Sequence, residues 1–367
     1  MRPLSAKERG GVMRERVEKL RRRMEEKGIE ALLVTKPENR AYLSGFDGSA
    51  GVLLITAAGA SWLVTDFRYV EQATLQAPHM EVVRHGPQFH ATLKELAEKA
   101  GLQKIFFEKD HLTYGLYENL KENLGVELVP QEGLVEGLRM VKDAGELALI
   151  KKAAAIADQA FTNILPLLRP GVSEKEIAVE FEYQMRKLGA QGNAFETIVA
   201  SGPRSSLPHG HPTERRLQEG DFVTLDFGAK VDGYCSDCTR TVAIGTVDDK
   251  MREIYDLVLR AQKEALAAVR PGKKGKEIDA VARDIIAAAG HAEHFGHGLG
   301  HGVGRAVHEG PRLYPLGEEL LEPGMVVTIK PGVYLPGWGG VRIEDLVVVT
   351  TDGSEIITGL SKELMIL

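Results

Sequence analysis

Cysteine is scarce in this 367-residue chain. Only Cys235 and Cys238 occur, which excludes a disulfide-stapled secreted scaffold. Positive charge is not in excess either. Lys and Arg number 46 against 52 Asp and Glu, a net charge of −6, so the electrostatic footprint of a general nucleic-acid binder is missing. Long apolar runs are lacking as well. The uncharged stretch Gly51 to Thr65 carries Gly, Ser and Thr and is too short to span a bilayer. The first 30 residues are Arg-rich with no apolar h-region, so no secretory signal is visible and the expected location is cytoplasmic. There is no G-x-G-x-x-G, no phosphate loop and no G-x-S-x-G elbow. What remains is a globular composition, 43% hydrophobic and 27% charged, at a length that suits two domains.

Lys7 to Gly28 places Val17, Leu20 and Met24 at helical spacing among charged residues, which predicts an amphipathic helix with a solvated face. Ala31 to Thr35, Gly51 to Thr56, Ser61 to Thr65 and Lys104 to Glu108 read as strands, and Thr92 to Ala100 as a helix. This alternation describes a small α/β domain over residues 1–142, ending in the Gly-containing stretch 131–145. A long helix from Ala144 to Leu168 opens the second domain, 143–367.

That second domain contains an internal repeat. Leu168-Arg-Pro-Gly-Val-Ser-Glu-Lys-Glu-Ile177 recurs as Val269-Arg-Pro-Gly-Lys-Lys-Gly-Lys-Glu-Ile278, 101 residues later. In each copy Pro and Gly stop one helix and a Glu-rich turn starts the next. Leu217-Gln-Glu-Gly-Asp-Phe-Val-Thr-Leu-Asp226 matches Leu321-Glu-Pro-Gly-Met-Val-Val-Thr-Ile-Lys330, and Gly233-Tyr-Cys-Ser-Asp237 matches Gly340-Val-Arg-Ile-Glu344. Two helix–helix–β-hairpin units about a pseudo-twofold axis are expected.

Strand alternation puts Asp226 on a face with Thr224, Asp237 with Cys235 and Thr239, Lys330 with Thr328, and Glu344 with Arg342. The pseudo-symmetry brings these acids and Lys330 to one central place. An isolated strand acid usually faces solvent, but each of these is read as following a run of apolar residues in a repeat-equivalent position. Clustered carboxylates repel unless a cation or proton sits among them, and oxygen-rich ligation suits Mn, Co or Zn. Seven of the eleven histidines fall between residues 209 and 308. His297 and His301 alternate with glycines from Gly296 to Gly304, which predicts an extended strand with His297, Leu299 and His301 on one face. On a strand Cys235 and Cys238 lie roughly 10 Å apart on opposite faces, so they read as small buried residues and not a redox pair.

Ile198-Val-Ala-Ser-Gly202, Leu207-Pro-His-Gly210, Leu225-Asp-Phe-Gly228, Ser236-Asp-Cys-Thr-Arg240, Gly296-His-Gly-Leu-Gly-His301 and Gly339-Gly-Val-Arg-Ile-Glu-Asp345 resemble the pita-bread superfamily of creatinase, prolidase and methionine aminopeptidase. The whole chain is most similar to its two-domain Xaa-Pro peptidases. The resemblance implies an α/β (α+β) fold: a creatinase-like N-terminal domain and a pita-bread metallopeptidase domain. It also implies a homodimer that hydrolyses the Xaa-Pro bond of dipeptides or peptide N-termini with two divalent ions. It assigns Asp226, Asp237, His301 and Glu344 as metal ligands, and His209, His297 and His308 to substrate binding and proton transfer. Arg342 would orient Glu344 or contact substrate. The fifth ligand of the family is a Glu where this sequence has Lys330. An ammonium cannot donate a lone pair to a metal, so at most one weakly held ion, near Asp226, and reduced activity are expected. A metal-free creatinase-like hydrolase and a non-catalytic binding protein are the competing readings.

Overall fold

The computed structural model describes residues 6–367, with side chains from residue 10 onward. The chain divides between Arg139 and Met140 into two compact units.

The first unit is built on a six-stranded sheet: β1 (Ala31–Val34), β2 (Val52–Thr56), β3 (Ser61–Thr65), β4 (Glu81–Arg84), β5 (Lys104–Glu108) and β6 (Glu127–Gln131), in the order β4-β3-β2-β1-β5-β6. β1–β2 and β2–β3 pair antiparallel; the remaining pairs are parallel. The central strands are buried on both faces, so their sequences read as continuous apolar runs. Leu32, Val34, Leu53 and Ile55 pack with Val17, Leu20 and Met24 of α1 (Ala6–Glu26). Leu33, Leu54 and Trp62 face the other way, toward Leu93 and Leu96 of α4 (Phe89–Lys99). The shorter helices α2 (Pro37–Ser44), α3 (Val70–Gln76), α5 (Tyr114–Asn123) and α6 (Glu136–Arg139) complete the unit.

The second unit opens with α7 (Ala144–Ile164) and α8 (Glu174–Lys187), each started by a reciprocal cap: Asp143 with Glu146, and Ser173 with Glu176. Strands β7 (Gly192–Asn193), β8 (Ile198–Ser201), β9 (Phe222–Phe227), β10 (Ala229–Val231), β11 (Tyr234–Cys235) and β12 (Cys238–Ala243) follow. They form the sheets β12-β9-β8 and β11-β10-β7. The second half repeats the plan with α9 (Asp249–Ala268) and α10 (Gly275–Ala288), then β13 (Gly300–Gly302), β14 (Glu309–Leu313), β15 (Val326–Ile329), β16 (Gly332–Leu335), β17 (Gly339–Arg342), β18 (Asp345–Val349) and β19 (Ser354–Ile356). β14-β13-β15-β18-β19 form one sheet and β16-β17 another.

The repeat read from sequence is visible bond by bond. In the first copy Gly171 N donates to Leu217 O and Leu217 N to Val172 O. In the second copy Gly272 N donates to Leu321 O and Leu321 N to Lys273 O. Each half has its own core. One is centred on Phe161, Phe181, Leu225 and Phe227, the other on Ile278, Leu299, Val327 and Ile329. The halves meet where β12 runs beside Arg342 and Glu344: Glu344 N donates to Thr239 O, and Thr241 Oγ1 to Arg342 O.

One segment departs from expectation. Gly296 to Leu299 is not a strand; β13 begins at Gly300, with Lys330 N donating to Leu299 O just before it. The preceding backbone is tied to α10 instead, with Arg283 donating to the carbonyls of Phe295 and His297 and Asp279 accepting from Leu299 N. The glycines serve close backbone approach. A Cβ at Gly300 would stand 1.8 Å from Thr328 O, and one at Gly302 would stand 1.9 Å from Gly310 O.

Candidate metal and peptide site

Three predicted ligands converge in the second unit. Ligand atoms of Asp237, His301 and Glu344, all buried, lie within 4.8 Å of one another. Asp237 sits at the break between β11 and β12, and Glu344 at the break between β17 and β18. A side chain at such a break is freed from strict strand alternation and can turn inward. Glu344 Oε2 accepts from Thr239 Oγ1 at 2.7 Å across the seam of the two halves.

Asp226, on β9, is also buried, but its Oδ2 accepts from Arg342 Nη2 at 2.8 Å. The expectation that Arg342 orients Glu344 is corrected by this geometry. Arg342 bonds Asp226, Tyr334 Oη (2.9 Å), Thr239 Oγ1 (3.2 Å) and the Pro208 carbonyl (3.1 Å). It is the last residue of β17, and Glu344 lies in the break that follows it.

Lys330 reaches the middle of the cluster. Its Nζ donates to His301 Nε2 at 2.6 Å and stands 3.5 Å from Glu344 Oε1 and 4.0 Å from Asp237 Oδ2. The three carboxylates nearby hold the Lys330 ammonium charged, raising its pKa against the opposing effect of burial. His301 is neutral, because burial and then Lys330 push its pKa well down. Its Nδ1–H therefore donates to Gly302 O and its Nε2 lone pair accepts from the ammonium. The 3.5 Å approach of His301 to Asp237 is accordingly not an ion pair.

Burial raises the pKa of both Asp226 and Asp237, the latter strongly, with Glu344 adding to the rise and Arg342 and Lys330 opposing it. Three buried carboxylate oxygens, Asp226 Oδ1, Asp237 Oδ1 and Glu344 Oε1, have no hydrogen-bond partner. Orphaned buried acceptors of this kind ask for a cation, and Glu344 Oε1 already faces the Lys330 ammonium at 3.5 Å. The two sides of the site thus differ. The carboxylates retain unsatisfied oxygens, whereas the lone pair of the only histidine in the cluster is already taken. Three carboxylates against two cations, Lys330 and Arg342, leave one net negative charge, too little for two divalent ions. These residues do not fit a dinuclear centre.

The remaining predicted histidines are dispersed around this core. His297 does not share a strand face with His301. Its Nδ1 donates to Gly298 O and its Nε2 accepts from Tyr334 Oη at 2.8 Å, linking it through Tyr334 and Arg342 to Asp226. Burial lowers its pKa to about 4. His308 lies over His301 with ring centroids 4.2 Å apart, and burial lowers its pKa too. His209 is exposed on the 207–210 turn. Cys235 and Cys238 are both free thiols and buried. Tyr334 and Glu174 did not emerge from the sequence, because no residue-type signal separates them from ordinary strand and helix positions.

The chain matches the model of metallopeptidase family M24 over residues 148–351 and that of the creatinase/prolidase N-terminal domain over residues 16–141. An uncharacterized peptidase of Bacillus subtilis is 46% identical, over 96% of this chain and 100% of its own. The solved structure of a Xaa-Pro dipeptidase from Bacillus anthracis is 48% identical with a TM-score of 0.94, covering 97% of this chain and 100% of that one. The X-Pro aminopeptidase from Thermotoga maritima is 39% identical with a TM-score of 0.86, covering 94% and 100%. With a creatinase-type first domain and a pita-bread second domain, the chain belongs to metallopeptidase family M24.

Proposed function

We propose that this protein is a Xaa-Pro exopeptidase of the M24 type in which Lys330 holds hydrolysis down. The observation that carries the reading is the convergence of Asp237, His301 and Glu344, joined to Asp226 through Thr239 and Arg342, with His308 against His301. Solved structures of similar fold titled as Xaa-Pro dipeptidase and X-Pro aminopeptidase support it. Residues 143–367 would form the catalytic domain. Within it Asp226, Asp237 and Glu344 would hold at most one divalent ion (Mn, Co or Zn), while the ammonium takes the place beside His301. His308, stacked against His301, would take part in proton transfer, and His209 would meet a peptide on the exposed turn. Arg342 would keep Asp226 in place and hold the Pro208 carbonyl. The family resemblance supports a cytoplasmic homodimer.

The test is a substrate panel. The full chain with Mn²⁺ is incubated with Ala-Pro, Ala-Pro-Ala, Ala-Ala and creatine, and released amino acids and urea are measured. Slow release confined to the proline peptides is expected, and the ratio of Ala-Pro to Ala-Pro-Ala fixes the preferred length. Hydrolysis of Ala-Ala at the same rate, or of creatine alone, contradicts the proposal. The Lys330–His301 contact favours one second reading, a metal-free hydrolase, which would work undiminished in EDTA.

A further inference from the structure

We infer that Glu174 is a positioning residue for peptide binding: its carboxylate fixes the segment that carries His209. The inference rests on the Xaa-Pro reading, since it takes the turn Leu207 to Gly210 as part of the wall a peptide meets.

Glu174 is the first residue of α8 and is fully buried. A buried carboxylate is unfavourable unless its lone pairs are filled. Here every partner comes from one segment. Oε1 accepts from Ser201 N (2.8 Å) and Ser201 Oγ (2.7 Å). Oε2 accepts from Thr213 N (3.0 Å), Thr213 Oγ1 (2.7 Å) and the Arg204 guanidinium. Ser201 precedes the His209 turn and Thr213 follows it, so one carboxylate clasps the segment at both ends. Two further bonds hold its interior against the second half: Gly340 N donates to Ser205 Oγ, and Arg342 donates to Pro208 O.

Helix capping does not explain Glu174. Ser173 and Glu176 already cap α8 reciprocally. The internal repeat supplies a control within the molecule. The position equivalent to Glu174 in the second copy is Gly275, where a Cβ would stand 2.2 Å from Arg312 O. The same helix start is therefore built there without a carboxylate. What differs between the copies is the segment Glu174 clasps, and only the first copy carries the Leu-Pro-His-Gly turn. The clasp and Arg342 are the two ends of one support, and Arg342 also holds Asp226.

Glu174→Gln keeps the shape but turns one oxygen into a donor that faces other donors. Binding of Ala-Pro to the full chain is measured by calorimetry for the native protein, Glu174→Gln, Thr213→Val and Thr213→Ser. The same changes are made in a Lys330→Glu background for kinetics, with hydrogen exchange read by peptide. Glu174→Gln is expected to weaken Ala-Pro binding and raise KM at least tenfold, with kcat within threefold. Exchange should quicken over residues 202–213 but not over 175–187. Thr213→Val should show a smaller rise in KM, about threefold, and Thr213→Ser should behave as native; this pair carries the test if Glu174→Gln does not fold. Unchanged KM and Kd in Glu174→Gln and Thr213→Val overturn the inference, as does a fall in kcat at constant KM. The Xaa-Pro reading fails separately, taking this inference with it, if the native chain binds no Ala-Pro and Lys330→Glu hydrolyses none.

Discussion

Lys330→Glu is the perturbation with the largest expected effect. In the native chain the ammonium lies 2.6 Å from His301 Nε2 and 3.5 Å from Glu344 Oε1. A divalent ion about 3.5 Å from that ammonium is repelled by roughly 9 kcal/mol at an effective dielectric of about 20, which no single ligand bond offsets. The substitution replaces this repulsion with an attraction. It also frees the His301 lone pair and moves the side-chain charge of the site from one net negative to three. Activity on Ala-Pro in Mn²⁺, followed by proline release, is expected to rise at least 100-fold in kcat/KM, equivalent to about 2.7 kcal/mol of transition-state stabilisation. Lys330→Met separates the two contributions: it removes the charge without adding a ligand, so a rise of about tenfold or less is expected. Equal activity of native and Lys330→Glu proteins would refute the reasoning. Loss of activity in Lys330→Glu, with native turnover resistant to EDTA, would point instead to a metal-free hydrolase in which the lysine is needed.

Other expected outcomes concern stability. Phe227 is fully buried between Phe161 and Phe181, at ring-centroid distances of 5.5 and 4.5 Å, so Phe227→Ala should lower unfolding free energy by ~3–5 kcal/mol in urea titration. Gly300→Ala forces a Cβ toward Thr328 O, so a Tm lowered by several degrees and weakened Ala-Pro binding through displaced His301 are expected in thermal melts and calorimetry. His297 has a folded pKa depressed to about 4 from 6.5. The unfolded chain therefore binds its proton first, and stability present above pH 6.5 is lost as pH falls toward 4. About 2 kcal/mol of loss between pH 8 and pH 5 should be missing from His297→Asn, read as the difference between two urea-unfolding series.

Much of the scaffold is legible in the residue order because local rules and tertiary structure agree there. Ala31–Val34 and Ser61–Thr65 read as strands because both sheet faces are covered, and Pro-Gly followed by a Glu-rich turn marks the start of a helix in each copy. The repeat is legible for the same reason, since the helix stop and start of each copy fall within ten residues. The site is less so. Strand alternation and the repeat point to Asp226 on β9, but not to the strand breaks that hold Asp237 and Glu344, nor to Arg342 crossing to Asp226, a bond between residues 116 apart in sequence. The alternating glycines suggest a strand through His297; Arg283 and Asp279 of α10 hold that backbone off the sheet, and no short-range pattern records this. Glu174 reads as one more acid at a helix start. Its role appears only when Ser201 and Thr213 are brought to it by the fold.

Crystals of the native protein grown in excess MnCl₂, with anomalous diffraction collected at the manganese edge, test the central claim most directly. The expected map has no peak among Asp237, His301 and Glu344, where the Lys330 ammonium stands, and at most one peak on the Asp226 side. Two full peaks in the native protein, with Lys330 turned away from His301, would contradict it.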